Sequence, residues 1–362
     1  MRVAICGGGS VAITAAAVLA ARPDFDVTVL TRQSANWADV LTIHFGDDLR
    51  LIGKVRVTND PTCAVETSEW VLLAVPAYAR GDILEKIRPH LATGAWVGCI
   101  GSAIGFDWLA SRMLPRDARY FALRRTPWIA RTVERGSLVH VTAVRPHVDV
   151  AAHPSSELTA LAPALSDAFG IDFRQGKNFL ALTLGFDNAT LHPPRLYTLF
   201  STADSVTASD RFYGSWDDAA SDCLLSLDDE LSRIRTAFDI SNDISARTHF
   251  SVKSSAELTA LVRSMSALEH ITVPALASGY PDLESRFFQE DFRFGLAIHG
   301  EIGRLAGVNT PTLNKIISWA ESLLGISLSY GRSHSFDPRS HPPFPQSFGL
   351  CSADALRAST TC

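Results

Sequence analysis

At 362 residues the chain exceeds the size at which one hydrophobic core usually divides, about 250–300 residues, so two domains are expected. With 46% hydrophobic and 20% charged residues it reads as an ordinary globular protein, and a formal net charge of −5 gives no electrostatic reason for nucleic acid or an anionic membrane as partner. Its six cysteines are scattered, with neither CxxC nor zinc-type spacing, which suits unpaired thiols in a reducing compartment and no metal site.

Met1-Arg2 and the alanine-rich run to Ala21 imitate a secretory signal, but Gly7-Gly8-Gly9-Ser10 interrupts the apolar run after four residues. No stretch reaches the ~18 apolar residues of a membrane-crossing helix, so a cytoplasmic protein is expected. Arg2-Val3-Ala4-Ile5-Cys6 reads as a buried strand, and Gly7-Gly8-Gly9-Ser10-Val11-Ala12 fits the G-x-G-x-x-G/A dinucleotide fingerprint. Gly7 makes the tight turn, Gly9 lets the backbone approach a pyrophosphate, and Ala12 permits close helix–strand packing. Val11 to Ala21 is then a helix whose N-terminus, with Ser10 just before it, faces the phosphates. Asp26 to Thr31 is the second strand. At its end, where NAD enzymes place an acidic residue for the ribose hydroxyls, stand Thr31, Arg32 and Gln33. A cation there suits a 2′-phosphate, so Arg32 favours NADP(H) over NAD(H).

Val55 to Thr58 and the continuous apolar run Trp70 to Val75 suit strands of a parallel sheet covered on both faces. Pro76-Ala77 falls at a strand's C-terminal end, where open α/β sheets bind ligands. Ala77 to Leu91 reads as a helix, and Ala95 to Ile100, Phe121 to Thr126 and Ser137 to Val144 as strands. After an amphipathic segment, Glu157 to Phe169, the alternation stops near Gly176. Apolar periodicity in 223–238, 256–268, 295–306 and 312–324 then indicates helices. The expected fold is an α/β Rossmann domain over 1–177, doubly wound and mainly parallel, then an all-helical domain over 178–330. A Pro/Ser-rich tail over 331–362 is expected to be extended rather than helical. His270, His299, His334 and His341 lack metal-like spacing and read as surface residues.

The segment 184–195 carries the chemistry. Asn188 and His192 stand four apart, on one face of a helix. Pro193 is expected to stop that helix at His192, leaving an imidazole at a C-terminus where the dipole favours its protonated form. A histidine ready to give and take a proton is what carbonyl or imine reduction requires.

With these features the chain resembles the octopine/nopaline (opine) dehydrogenase family. The likeness rests on Gly7-x-Gly9-x-x-Ala12, Val75-Pro76-Ala77, Thr126-Pro127-Trp128, Asn188-x-x-x-His192-Pro193, Arg286 with Asp291, and Ala306 to Thr312. Ala130 stands where some relatives have a cysteine, which leaves the amino-acid partner open. The resemblance implies NAD(P)H-dependent condensation of an amino acid with an α-keto acid, pyruvate by family habit, to a secondary-amine dicarboxylate. It further implies that His192 is the acid–base, Asp291 its orienting carboxylate, and Arg286 the cation for the keto-acid carboxylate. Asn188 would hydrogen-bond substrate or nicotinamide. The expected partners are these small molecules, with neither nucleic acid nor membrane, and a homodimer is admissible. One alternative is a ketopantoate-reductase-like or 2-hydroxy-acid dehydrogenase, which would need a helix-borne lysine, for which Lys177 is the candidate. Another is a non-catalytic NADP-sensing protein. The alternative role for Arg286 and Asp291 is a surface salt bridge with each other.

Overall fold

The computed structural model describes residues 1–46, 49–202, 206–331 and 336–359. Its contacts divide into two units: Met1–Thr183 with Asp337–His341, and Leu184–Phe336 with the chain from Pro342 onward.

The first unit opens with β1 (Arg2–Cys6), α1 (Ser10–Ala20) and β2 (Asp26–Leu30), the expected strand–helix–strand. Next come β3 (Val40–Phe45), β4 (Leu49–Lys54), β5 (Arg56–Thr58), α2 (Pro61–Val65), β6 (Trp70–Leu73), α3 (Arg80–Ile87), β7 (Trp96–Cys99) and α4 (Phe106–Met113). β8 (Arg119–Leu123), β9 (Trp128–Glu134), β10 (Leu138–Val144), β11 (His147–His153), α5 (Leu158–Phe169), β12 (Asp172–Gln175) and α6 (Phe179–Thr183) complete it. Eight strands form one sheet in the order β12-β11-β8-β7-β6-β1-β2-β5. All neighbours are parallel except β8 and β11. The buried runs Val3–Cys6 and Val71–Leu73 lie at its centre, as strands covered on both faces require. The strand order reverses between β1 and β6, so the switch point lies at their carboxyl ends.

Of a second sheet, β4-β3-β10-β9, only β10 was expected as a strand, from Ser137 to Val144. This sheet explains why α1 is made of alanine. That helix packs on β1 and β2 of the large sheet and on all four strands of the small one. Ala12, Ala15, Ala16 and Ala17 are wholly buried, and a Cβ on Gly53 of β4 would stand 2.7 Å from the Ala17 carbonyl oxygen. Small residues set the thickness of this sandwich; larger ones would force the sheets apart.

The second unit comprises α7 (Asn188–Thr202), α8 (Asp218–Ala237), α9 (Ala246–Phe250), α10 (Ser255–Arg263), a π-type helix over Phe287–Leu296, α11 (Ala297–Leu305), α12 (Pro311–Leu324) and α13 (Ala353–Ser359). Among its described residues the only β pairing is two isolated bridges, so it is helical as expected.

The tail departs from expectation. Residues 332–335, His334 among them, and 360–362 lie outside the described residues. Asp337–His341 joins the first unit, where a Cβ on Gly81 of α3 would collide with the Pro338 carbonyl. The chain then returns to the second unit through a 3-10 turn, Pro345–Phe348, and ends in α13. Burial of Phe344 and Leu356 overrides the proline-rich composition. His299, expected at the surface, is wholly buried on α11. Among the described residues no helix is long and apolar enough to cross a membrane, and no group of side chains could hold a metal ion.

Candidate functional site

The helical unit builds its site from the start of α7. Asp187 caps that helix, its carboxylate accepting from the Ala189 N–H at 2.9 Å. The Thr190 hydroxyl donates back to the Asp187 carbonyl at 2.9 Å, which closes the first turn. Against expectation the helix does not stop at His192 but runs through Pro193 and Pro194 to Thr202. Each proline removes an amide donor and costs on the order of 3 kcal/mol in a helix interior. Tertiary anchoring offsets that. Arg195, fully buried, donates to the Asp217 carboxylate and to the Ser215 carbonyl at 2.6 Å each, and Leu191 and Leu196 are buried beside it. His192 therefore sits in the second turn of a continuing helix, and the helix dipole no longer explains a preference for its protonated form.

The imidazole is buried and held at both nitrogens. Nδ1 lies 2.7 Å from Asp291 Oδ2, and Nε2 lies 2.7 Å from the Tyr213 hydroxyl. A carboxylate accepts, so we assign the proton to Nδ1 and have the Tyr213 O–H donate to Nε2. Burial holds the Asp291 carboxyl above the usual range, while His192 beside it draws it back down. Burial, together with the charge of Asp291, also pushes the Tyr213 hydroxyl upward, so it stays a neutral donor. Phe287 stacks obliquely on the imidazole at 4.5 Å between ring centres, and Phe212 meets it edge-on at 5.6 Å. The pair thus works in an apolar, water-poor setting where charge interactions are strong.

Asp291 and Phe287 both come from the π-type helix, whose wider turn is a form often met at functional sites. A Cβ on Gly295, one turn beyond Asp291, would collide with the Cβ of Ala189, one turn before His192. Glycine there lets the two helices approach closely enough for the His–Asp contact.

The other expected residues are placed differently. Asn188 is the first residue of α7 and is exposed. Arg286, just before the π-type helix, has a 71% exposed side chain and pairs with Glu290 at 2.7 Å. It does not pair with Asp291, whose partner is His192, so the Arg286–Asp291 salt bridge is absent. Tyr213, Phe212 and Phe287 were not anticipated, since an aromatic residue in an aperiodic segment carries no sequence signal of its target.

The first unit supplies features suited to a dinucleotide. Gly7 has φ +148°, and a Cβ there would collide with the Ala74 carbonyl where β1 and β6 end. Gly9 begins α1 with no side-chain cap, and nothing lies within 4 Å of where its Cβ would be. The amides of the first turn have no acceptor within the helix, and with the space beside Gly9 the residues fit a pyrophosphate. Arg32 stands exposed just past β2, and Pro76-Ala77 follows β6 at the switch point. Lys177 lies between β12 and α6.

Comparison with known proteins gives two family matches. Residues 175–324 match the alpha-helical domain of NAD/NADP octopine/nopaline dehydrogenase, and residues 3–145 match ketopantoate reductase PanE/ApbA. A tauropine dehydrogenase from Arabella iricolor is 26% identical, over 97% of this chain and 98% of its own. Among solved structures, an octopine dehydrogenase in complex with NADH and agmatine superposes with a TM-score of 0.83 at 22% identity, covering 99% of this chain and 98% of its own. A yersinopine dehydrogenase with NADP+ bound gives 0.67 at 16% identity, covering 99% of each chain.

Proposed function

This chain belongs to the octopine/nopaline (opine) dehydrogenase family, NAD(P)H-dependent oxidoreductases that reductively condense an amino acid with an α-keto acid, and we propose that His192 is its acid–base. The observation that carries the assignment is the buried His192–Asp291 contact at 2.7 Å. When bound, the nicotinamide dinucleotide supplies the hydride that reduces the imine carbon. The amine attacks the ketone, and His192 delivers the proton with which the former ketone oxygen departs as water. Asp291 fixes the imidazole and stabilises its cationic form between proton transfers. Arg286 holds the keto-acid carboxylate after exchanging its Glu290 partner for substrate, and Asn188 hydrogen-bonds substrate from the start of the same helix as His192. Gly7, Gly9, Ser10, Val11, Ala12, Pro76 and Ala77 hold the dinucleotide. Arg32 gives NADP(H) preference over NAD(H). Pyruvate is the keto acid, and the setting is cytoplasmic, in keeping with unpaired thiols.

The test follows NADPH and NADH oxidation with some twenty amino acids, each paired with pyruvate, glyoxylate or 2-oxoglutarate. Turnover that requires both an amine and a keto acid supports the reading. Oxidation with the keto acid alone, giving a 2-hydroxy acid, would replace it with the ketopantoate-reductase-like alternative.

A further inference from the structure

Arg124 and Arg125 stand just past the carboxyl end of β8, and Arg145, between β10 and β11, reaches the same segment through the Thr126 carbonyl. Arg124 and Arg125 are each only 9% exposed, and Arg145 is partly buried. Arg124 Nε lies 2.7 Å from Asp149 Oδ2, and the Arg124 N–H donates to the Asp149 carbonyl at 2.9 Å. Arg145 donates through Nε to the Thr126 carbonyl at 2.9 Å and pairs with no carboxylate among the described residues. Burial and the neighbouring Arg124 charge pull its pKa down to about 10. Arg124 and Arg145 are thus like charges held close at low exposure, an arrangement that a further anion would stabilise.

Their place in the sheet says which anion. β1, β6, β7 and β8 run parallel, so Arg124 and Arg125 sit at the same end of the sheet as Gly7 and Pro76-Ala77. β8 is three strands from β1, or roughly 14 Å at a spacing of about 4.8 Å. A dinucleotide whose pyrophosphate sits at the β1 turn crosses the switch point towards β6 and β7, which brings its nicotinamide end to this side. The hydride acceptor lies beside that end.

We propose that Arg124, Arg125 and Arg145 bind an anionic group on the side chain of the amine substrate, which makes that substrate an acidic amino acid. This deepens the proposed condensation and rests on it. The α-carboxylates of the two substrates do not account for the cluster, since one basic residue suffices for each. A planar guanidinium that can grip a carboxylate with two parallel N–H groups suits this task. The same cluster repels a cationic side chain, so discrimination comes from repulsion as well as attraction.

The test measures kcat/KM for L-glutamate, L-aspartate, L-alanine and L-arginine with saturating pyruvate and reduced cofactor. An acidic amino acid is expected to exceed L-alanine by at least about tenfold, with L-arginine the poorest. Arg145→Gln, which breaks no ion pair, should lower kcat/KM for the acidic substrate about 10- to 100-fold through KM, the usual effect of losing one charged hydrogen bond, and leave L-alanine nearly unchanged. Arg124→Gln combined with Asp149→Asn, which strands no buried charge, should do the same. Best turnover with L-arginine or a neutral amino acid overturns the inference while leaving the condensation intact. So does an equal loss for all substrates in both variants. Absence of turnover with every amino acid overturns the condensation reading and this one with it.

Discussion

At the scale of single residues, the His192 imidazole is gripped from two sides by groups with different work. Removing it should lower kcat for condensation by at least about 10²-fold while the Kd for the reduced cofactor stays put, as expected of a general acid–base. Tyr213→Phe removes only the hydroxyl at Nε2, which is worth about 0.5–1.5 kcal/mol, so the loss there should be about 2- to 12-fold. Steady-state kinetics on both variants separate the roles. Equal, small losses would mark His192 as a packing residue. Arg32 makes a third case: Arg32→Asp should swing the kcat/KM ratio towards NADH, and a wild-type protein that already uses NADH as well or better would refute the NADP(H) preference. Of these residues, His192 and Asp291 were legible in the sequence through their motif. Tyr213 was not, because the contact depends on how 206–216 folds over α7, and no periodicity encodes that.

At the scale of elements, the His–Asp contact depends on how closely α7 meets the π-type helix. Gly295→Ala places a methyl against Ala189, and overpacking of this kind costs about 1–3 kcal/mol. It should also separate Asp291 from His192 and lower kcat about tenfold or more, with KM for the cofactor unaffected. Ala189→Gly in the same chain should restore both stability and turnover, which a merely destabilised protein would not do. Elements with strong local signals were legible: β1, α1 and β2 follow the glycine fingerprint, and the long helices of the second unit follow their apolar period. The small sheet was not. Of its strands only β10 was read, and β3 pairs with β10 across about half the length of the first unit, which no local pattern encodes. The length of α7 was misread for the opposite reason. Pro193 is a strong local stop signal, and distant contacts from Arg195 to Asp217 and Ser215 overrule it.

At the scale of the whole molecule, stability should depend on pH through Asp107. Part of this residue is exposed, but its Oδ1 is shielded with no hydrogen bond, and burial raises its pKa to about 7 from 3.8. The folded protein therefore keeps a proton that the unfolded chain releases. The contribution of Asp107 to stability is greatest below about pH 4, declines as pH climbs towards 7, and is level above that, a loss of at most ~4 kcal/mol. Asp107→Asn should flatten this limb and raise the urea midpoint at pH 8 more than at pH 5. Equal midpoint shifts at the two pH values would sink the assignment. The tail gives a second molecular prediction. A chain ended at Tyr330 forfeits the burial of Phe344 and Leu356, each worth about 1.5–3 kcal/mol, and should unfold at clearly lower urea. An unchanged midpoint would return the tail to the loosely attached segment its composition suggests.

The seating of Pro338 on α3 has a further consequence, in the timing of biosynthesis. The first unit is finished only by Asp337–His341, and residues 184–336 are translated in between. At about 5–20 residues per second, the surface of α3 around Gly81 waits roughly 8–30 s after its own unit has emerged before its cover is made. During that interval the nucleotide-binding half is an open-sided nascent domain. Chaperone contact or proteolytic nicking of this chain should therefore concentrate around α3 while translation is still under way.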